Sequence, residues 1–368
     1  MNISVLNHSQ FFCWILENVM LFDNFSININ NAVFDVNILM PITKKILLIV
    51  LFLLSDNIRH IYFEVVINFV NSIEQLRCQV VKELMALSTI KKVWPYWLKD
   101  IRRISSDYTA LSNNDLKIIG NELYNIFRQT TNGTRSQGEV AAGGTAWESL
   151  ICWYLNLCLV GSRTVVIKAK KNNIPQAILD SISVNYGNFK SNTESDLLAI
   201  TFPNNNELLT PVSESHHEIM QRINRIVSDN FTDTELTVIQ CKTNWNDNAQ
   251  IPMLWDLIYS SEGFTTDTTV GSGGYSHKKL KKFSYAFVTV PTVDPDKIKQ
   301  TSTCVQRVLH LSGGNYWGRP SKSGVAMNIF DIMNRNFQTS LNFYPSGWNK
   351  EISDNLKYAY ENGNYFQL

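Results

Sequence analysis

The sequence predicts an α/β fold with a central mixed β-sheet flanked by helices, a helical region before the sheet and an irregular region after it. Three observations lead there. Short β-branched runs alternate with stretches of helical periodicity from residue 145 onward. Two of the runs, 196–202 and 236–242, carry polar groups at one end. A last apolar run, Ser284-Tyr285-Ala286-Phe287-Val288-Thr289-Val290, follows a helical stretch and reads as a core strand.

In chain order, residues 1–84 form an atypical apolar extension, rich in Asn, Ile, Leu, Phe and Val and poor in Gly and Lys. Lys44-Lys45 ahead of residues 46–54 resembles the start of a signal peptide. It lies inside the chain, however, and nine apolar residues are too few to cross a bilayer. A buried strand or helix is the simpler reading. The shift in composition also makes Met85 a candidate start.

Residues 85–135 read as helical, with Trp94, Trp97, Leu98 and Ile101 on one face and Leu116, Ile119, Leu123 and Ile126 on another. Ser112 or Asn113 supplies a cap for the second helix. Residues 130–144 are polar and Gly-rich, hence a loop.

The sheet core is expected over residues 136–300. It opens with a buried helix from Thr145 that carries Glu148 in its first turn and stops near Gly161. Strands follow at 163–167, 182–186 and 196–202, then a helix at 214–227, the strand 236–242, a polar turn at 244–248 and a helix at 252–259. Residues 301–368 are less regular, with a Gly- and aromatic-rich loop at 311–320 and a helix near 325–334.

Bulk properties narrow the chemistry. A formal charge of +1 neither requires nor excludes a nucleic-acid partner, since clustered basic residues suffice. The six cysteines include no CxxC pair, which argues against zinc and for reduced thiols in a cytoplasmic protein that does not engage a membrane. Other chemistries lack their signatures. Ser276 breaks the phosphate-binding pattern after Gly271, no GxSxG elbow exists, and His216-His217 have no companion ligands.

What remains is the pair of strands at 196 and 236–242. Alternation along a strand sends Gln240 and Lys242 to one face and Cys241 to the other. With Asp196 on a neighbouring strand, a carboxylate, an amide oxygen and an ammonium are expected to converge. Oxygen ligands of this kind suit Mg²⁺, whose bound water can become a nucleophile. Each residue also has a plainer reading. Asp196 can start a strand after a turn, Lys242 can be a solvated charge, and Glu148 can be a helix N-terminal charge favoured by the dipole. An unpaired Gln240 amide on an apolar strand would be costly.

The order of a helix with Glu148, a strand with Asp196, a strand with Gln240-x-Lys242, a helix and a strand resembles the PD-(D/E)xK nuclease core, most closely the type II restriction endonucleases. The resemblance covers roughly residues 140–292. It implies a restriction-endonuclease-like core in which Asp196, Gln240 and Glu148 hold Mg²⁺ and Lys242 orients or deprotonates the attacking water. Ser195 stands in place of the motif's Pro, Gln240 replaces an acid, and an inserted helix lengthens the Asp196–Gln240 spacing.

The implied activity is Mg²⁺-dependent, sequence-specific cleavage of double-stranded DNA by a homodimer, alongside a cognate DNA methyltransferase. A structure-directed repair or junction nuclease and a non-catalytic DNA-binding protein with a degenerate core are the alternatives. DNA contacts are expected from Asn244, from Lys278 and Lys279 in a basic cluster, and from Asn315, Arg319 and Lys322, which would read base edges. For these segments a hydrogen-bonded turn or a solvated face is the competing reading.

Overall fold

The computed structural model describes residues 26–29, 32–35, 64–66, 70–105, 111–129, 137–168, 171–192, 195–212, 214–243, 250–261, 267–290, 299–316 and 329–363. The chain divides into two compact units, one of residues 1–71 with 210–215 and one of residues 72–209 with 216–368. In the smaller unit β1 (Ser26–Ile29) pairs antiparallel with both β2 (Ala32–Asp35) and β3 (Glu64–Val66). There, too, β4 (Val70–Asn71) pairs with β9 (Pro211–Val212). The signal-like residues 46–54 lie outside the described residues.

The larger unit begins with α1 (Ser72–Ala86), α2 (Ser88–Ile104) and α3 (Asn113–Arg128). The expected boundary at residue 85 is therefore corrected: Met85 sits inside α1, in the core of the larger unit. The physical reason lies one face away. Arg77 on α1 is fully buried, donates to the carbonyls of Ser162 and Thr164 at 3.0 and 2.7 Å, and pairs with Glu74 at 2.9 Å. A buried guanidinium needs all of these partners, so α1 is tied to the sheet. At the start of α3, Ser112 forms the expected cap as a full capping box with Asp115.

Helix α4 (Gln137–Cys158) then crosses the core, leading into β5 (Thr164–Lys168). It starts well before Thr145, so part of the expected Gly-rich loop is helical and Glu148 lies far inside the helix rather than in its first turn. From Leu150 to Leu159 the chain is buried on every side, as expected of a helix in the middle of a fold. It ends at a turn where Gly161 adopts φ 80°, a conformation that favours glycine.

Next come α5 (Gln176–Ser181), β6 (Ser183–Tyr186), β7 (Phe189–Asn192) and β8 (Leu197–Thr201). The short α6 (Asn206–Leu209) and the longer α7 (His216–Asp229) fill the expected insertion. They are followed by β10 (Glu235–Lys242), α8 (Gln250–Ser261), β11 (Thr268–Val270) and β12 (Lys282–Thr289).

The central sheet has the strand order β13-β12-β10-β8-β5, with four long strands and a two-residue edge strand, β13 (Asn315–Tyr316). β5 and β8 are antiparallel, as are β8 and β10, whereas β10 and β12 run parallel. The sheet is thus mixed, as expected. β10 is buried from Glu235 to Cys241, which accounts for its continuous apolar run. A side sheet of β11, β6 and β7 stands apart.

The C-terminal region contains α9 (Thr303–Leu309), α10 (Ile329–Asn336), α11 (Gln338–Leu341) and α12 (Trp348–Gly363). It was expected to be an appended element. Instead Ile329, Ile332, Phe337, Ile352 and Leu356 join the same apolar core as the sheet. Gly313 permits one close approach: a Cβ there would lie 2.6 Å from the Tyr285 backbone, and its N–H donates to the Tyr285 carbonyl at 2.7 Å. Among the described residues, no helix is long and apolar enough to cross a membrane.

Candidate active site

Pairing fixes which residues share one end of the sheet. Lys168 faces Leu197, Leu197 faces Ile239, and Lys242 lies beside Thr289. The last residues of β5, β10 and β12 and the residue before β8 therefore gather at a single edge. Lys168, Asp196 and Lys242 come from three adjacent strands.

Asp196 closes the ladder where β8 begins. Its Oδ2 accepts the Cys241 N–H at 2.7 Å and lies 3.7 Å from Lys242 Nζ. The Lys242 carbonyl is itself held by the Val290 N–H at 3.1 Å and the Thr289 hydroxyl at 2.9 Å. The expected meeting of Asp196 and Lys242 is present. Their side chains are 18 % and 22 % exposed, enough to meet solvent while being held by the strands.

Glu148 reaches the same edge from α4. Two devices fix its position. Asn156 brackets Val166 of β5 with both ends of its amide, donating at 2.7 Å and accepting at 3.1 Å. Trp147, next to Glu148, donates from its indole to the Val288 carbonyl of β12 at 3.3 Å. Glu148 Oε2 then meets Lys168 Nζ at 2.9 Å. Because Glu148 lies in mid-helix, attraction to the helix N-terminus no longer explains it. The charges cluster: burial first, then Asp196 and Glu148, push the Cys241 thiol well above its usual range.

Lys168 is the site residue that sequence reasoning missed. A lysine ending an apolar strand is common, and no spacing rule links it to a glutamate on the preceding helix.

Gln240 requires a correction. Its amide oxygen was expected beside Asp196 as a metal ligand, but the side chain is fully buried and Oε1 accepts from the Tyr285 hydroxyl at 3.2 Å. Its Nε2 has no hydrogen-bond partner among the described residues. Tyr285 packs near Tyr259 of α8, so the Gln240 amide is engaged under that helix instead of being offered at the sheet edge.

Two DNA-contact expectations also change. Asn315 is 1 % exposed in β13 and donates to the Val308 carbonyl at 3.2 Å, so its amide holds the fold and is not presented to a base. Lys278 and Lys279 are exposed, but they precede β12 and so lie at the opposite end of the sheet. An eight-residue strand spans roughly 25 Å, so these lysines are remote from Asp196. Lys279 also donates to the Gly274 carbonyl at 2.7 Å, and the neighbouring His277 is buried against Tyr259 and Phe283. Asn244, Arg319 and Lys322 lie outside the described residues.

Among the described residues, no group of three or more His, Cys, Asp or Glu side chains is arranged to hold a metal ion. That donor set is compatible with Mg²⁺ in one regime only. Mg²⁺ commonly takes one or two carboxylates and completes its shell with water and substrate phosphate. Asp196 and Glu148 offer that much, and both are charge-paired with a lysine. No protein-family model matches the chain, and no curated protein matches it at a significant level.

Proposed function

We propose that this protein is a Mg²⁺-dependent endonuclease that hydrolyses phosphodiester bonds in double-stranded DNA. One observation carries the reading: a carboxylate and an ammonium from antiparallel neighbouring strands meet at a sheet edge, 3.7 Å apart, in a mixed sheet whose element order resembles the PD-(D/E)xK core. The finer reading is a restriction enzyme of type II, acting as a homodimer on a palindromic site beside a cognate methyltransferase.

Asp196 and Glu148 would hold the cation, which when bound supplies charge neutralisation at the phosphate. Asp196 is kept in place by the Cys241 N–H, which fixes the orientation of its carboxylate. Lys242, beside Asp196, would orient an attacking water by donating to its oxygen. It would also offset the negative charge that forms as that water gives its proton to bulk solvent. The rigid ladder below both residues limits the reorganisation that the reaction requires.

Incubating the full chain with unmethylated plasmid and Mg²⁺, then sequencing the fragment ends, tests this. Discrete cuts at one short motif support the restriction reading. A binding protein with a degenerate core is the second reading, and the burial of Gln240 against Tyr285 favours it, because the motif's acidic position then supplies no ligand. Specific retention of DNA with no cleavage in Mg²⁺ or Mn²⁺ would select it.

A further inference from the structure

Lys168 falls outside the three motif positions, yet its ammonium sits in a cradle of oxygens. Three acceptors come from one face of α4, at spacings of three and four residues: the Thr145 carbonyl at 3.3 Å, the Glu148 carboxylate at 2.9 Å and the Ser149 hydroxyl at 3.4 Å. Ser149 is 1 % exposed, so this cradle is built into the protein rather than assembled from surface side chains. An oxygen cradle containing a carboxylate is what a hard cation selects, and here it holds a tethered one.

The local charge balance is informative. Among the described residues, Glu148 pairs with Lys168 and Asp196 with Lys242, two carboxylates against two ammonium groups. A divalent ion approaching that edge gains little from either carboxylate until an ammonium withdraws. A DNA phosphate supplies the missing negative charge and gives a released lysine somewhere to go.

We propose that Lys168 is a built-in counter-ion: it occupies the Glu148 cradle in the free protein and exchanges places with a divalent cation when DNA binds. This rests on the nuclease reading and deepens it by coupling metal loading to substrate. Lys168 is here a positioning residue, acting through Glu148. It is also the cation that keeps the unliganded site from taking up metal.

Isothermal titration of the full-length protein with Mn²⁺ alone, without DNA, tests the exchange. Replacing Lys168→Met frees the carboxylate, and Mn²⁺ affinity is expected to rise about fivefold. Lys168→Arg, which keeps the charge, should stay near the wild-type affinity. Adding Glu148→Gln to Lys168→Met should abolish the gain, since the anion is then gone.

A lysine that only ties α4 to β5 would give a different pattern: lower thermal stability and unchanged Mn²⁺ binding. That outcome overturns the proposal, as does weaker binding or no measurable binding by Lys168→Met. Circular dichroism checks folding, and Lys168→Gln, which retains donors for Thr145 and Ser149, replaces the Met variant if that one unfolds. A wild-type protein that cuts plasmid while Lys168→Met leaves Mn²⁺ binding unmoved removes the exchange alone. One that neither cuts nor binds DNA, while the Met variant gains Mn²⁺ affinity, removes the nuclease reading and leaves the cation exchange standing.

Discussion

At the start of β10, Glu235 is 5 % exposed, accepts from the Thr339 hydroxyl at 2.7 Å and lies 3.5 Å from Lys281 Nζ. At the opposite end of the same sheet, the side chains of Asp196, Lys242, Glu148 and Lys168 are all 18–24 % exposed and meet as two ion pairs. Both ends hold carboxylates and lysines. The Glu235 end is overlaid by C-terminal helices: Thr339 belongs to α11, and Lys282 at the same end donates to the Arg335 carbonyl of α10. There, the polar groups serve the fold. At the Asp196 end the charges come from four elements and converge on one edge, which is costly to arrange and adds only modest stability when the pairs remain partly exposed. That contrast is the physical reason to place chemistry at one end and architecture at the other.

The largest effect expected from this contrast is on cleavage. Asp196→Ala and Lys242→Ala should each lower the single-turnover rate by at least about a hundredfold, with DNA affinity and thermal stability little changed. Gel-based cleavage assays and thermal melts on the same samples check both halves. Equal loss of folding and activity would break the distinction between the ends.

Arg77→Met should be the most destabilising of the single changes, by about 3–5 kcal/mol, because it strands Glu74 and two buried carbonyls. Denaturant melts measure it, and they also test whether α1 is integral to the larger unit. Glu235→Gln comes next, at about 1–3 kcal/mol, with cleavage per folded molecule unchanged. A collapse of activity in a stable Glu235→Gln protein would show that both ends are functional.

Gln240 offers a subtler probe. Its Oε1 accepts from the Tyr285 hydroxyl, forming a small buried polar pair. Replacing both, with Gln240→Met and Tyr285→Phe, should cost less than Tyr285→Phe alone, since the donor and acceptor of this hydrogen bond are removed together. If Gln240 is a ligand after all, the double variant will be stable but inactive.

The smallest effect concerns pH. Burial pushes the Cys152 and Cys158 thiols up to about 12 from the ordinary 9.0. The native state therefore holds these protons more tightly than the unfolded chain, and stability is fully present below pH 9 and declines as pH rises toward 12. Alkylation at pH 8 should accordingly be slow in the native protein and fast in denaturant.

Much of this architecture was legible in the residues. Apolar runs buried on both faces gave the central strands, and Ser112 announced its helix start. Asp196 and Lys242 were placed correctly because element order and strand alternation fix which edge they share. The misses have physical causes. Gly143-Gly144 reads as loop because each glycine costs a helix about 1 kcal/mol, a penalty that packing of the rest of α4 offsets. Gln240 looked available because alternation tells which face a side chain takes, not what covers that face. Asn315 looked exposed because a Gly-rich segment gives no hint that two of its residues extend the sheet. Arg77 and Lys168 depend on partners that are remote along the chain or linked to them by no motif.

The most direct test of the central claim is a single-turnover cleavage measurement on wild-type protein and Lys242→Ala with plasmid DNA and Mg²⁺, each shown to be folded and DNA-bound. The account predicts rapid strand scission by the wild type and almost none by the variant. Equal rates from the two proteins would contradict it.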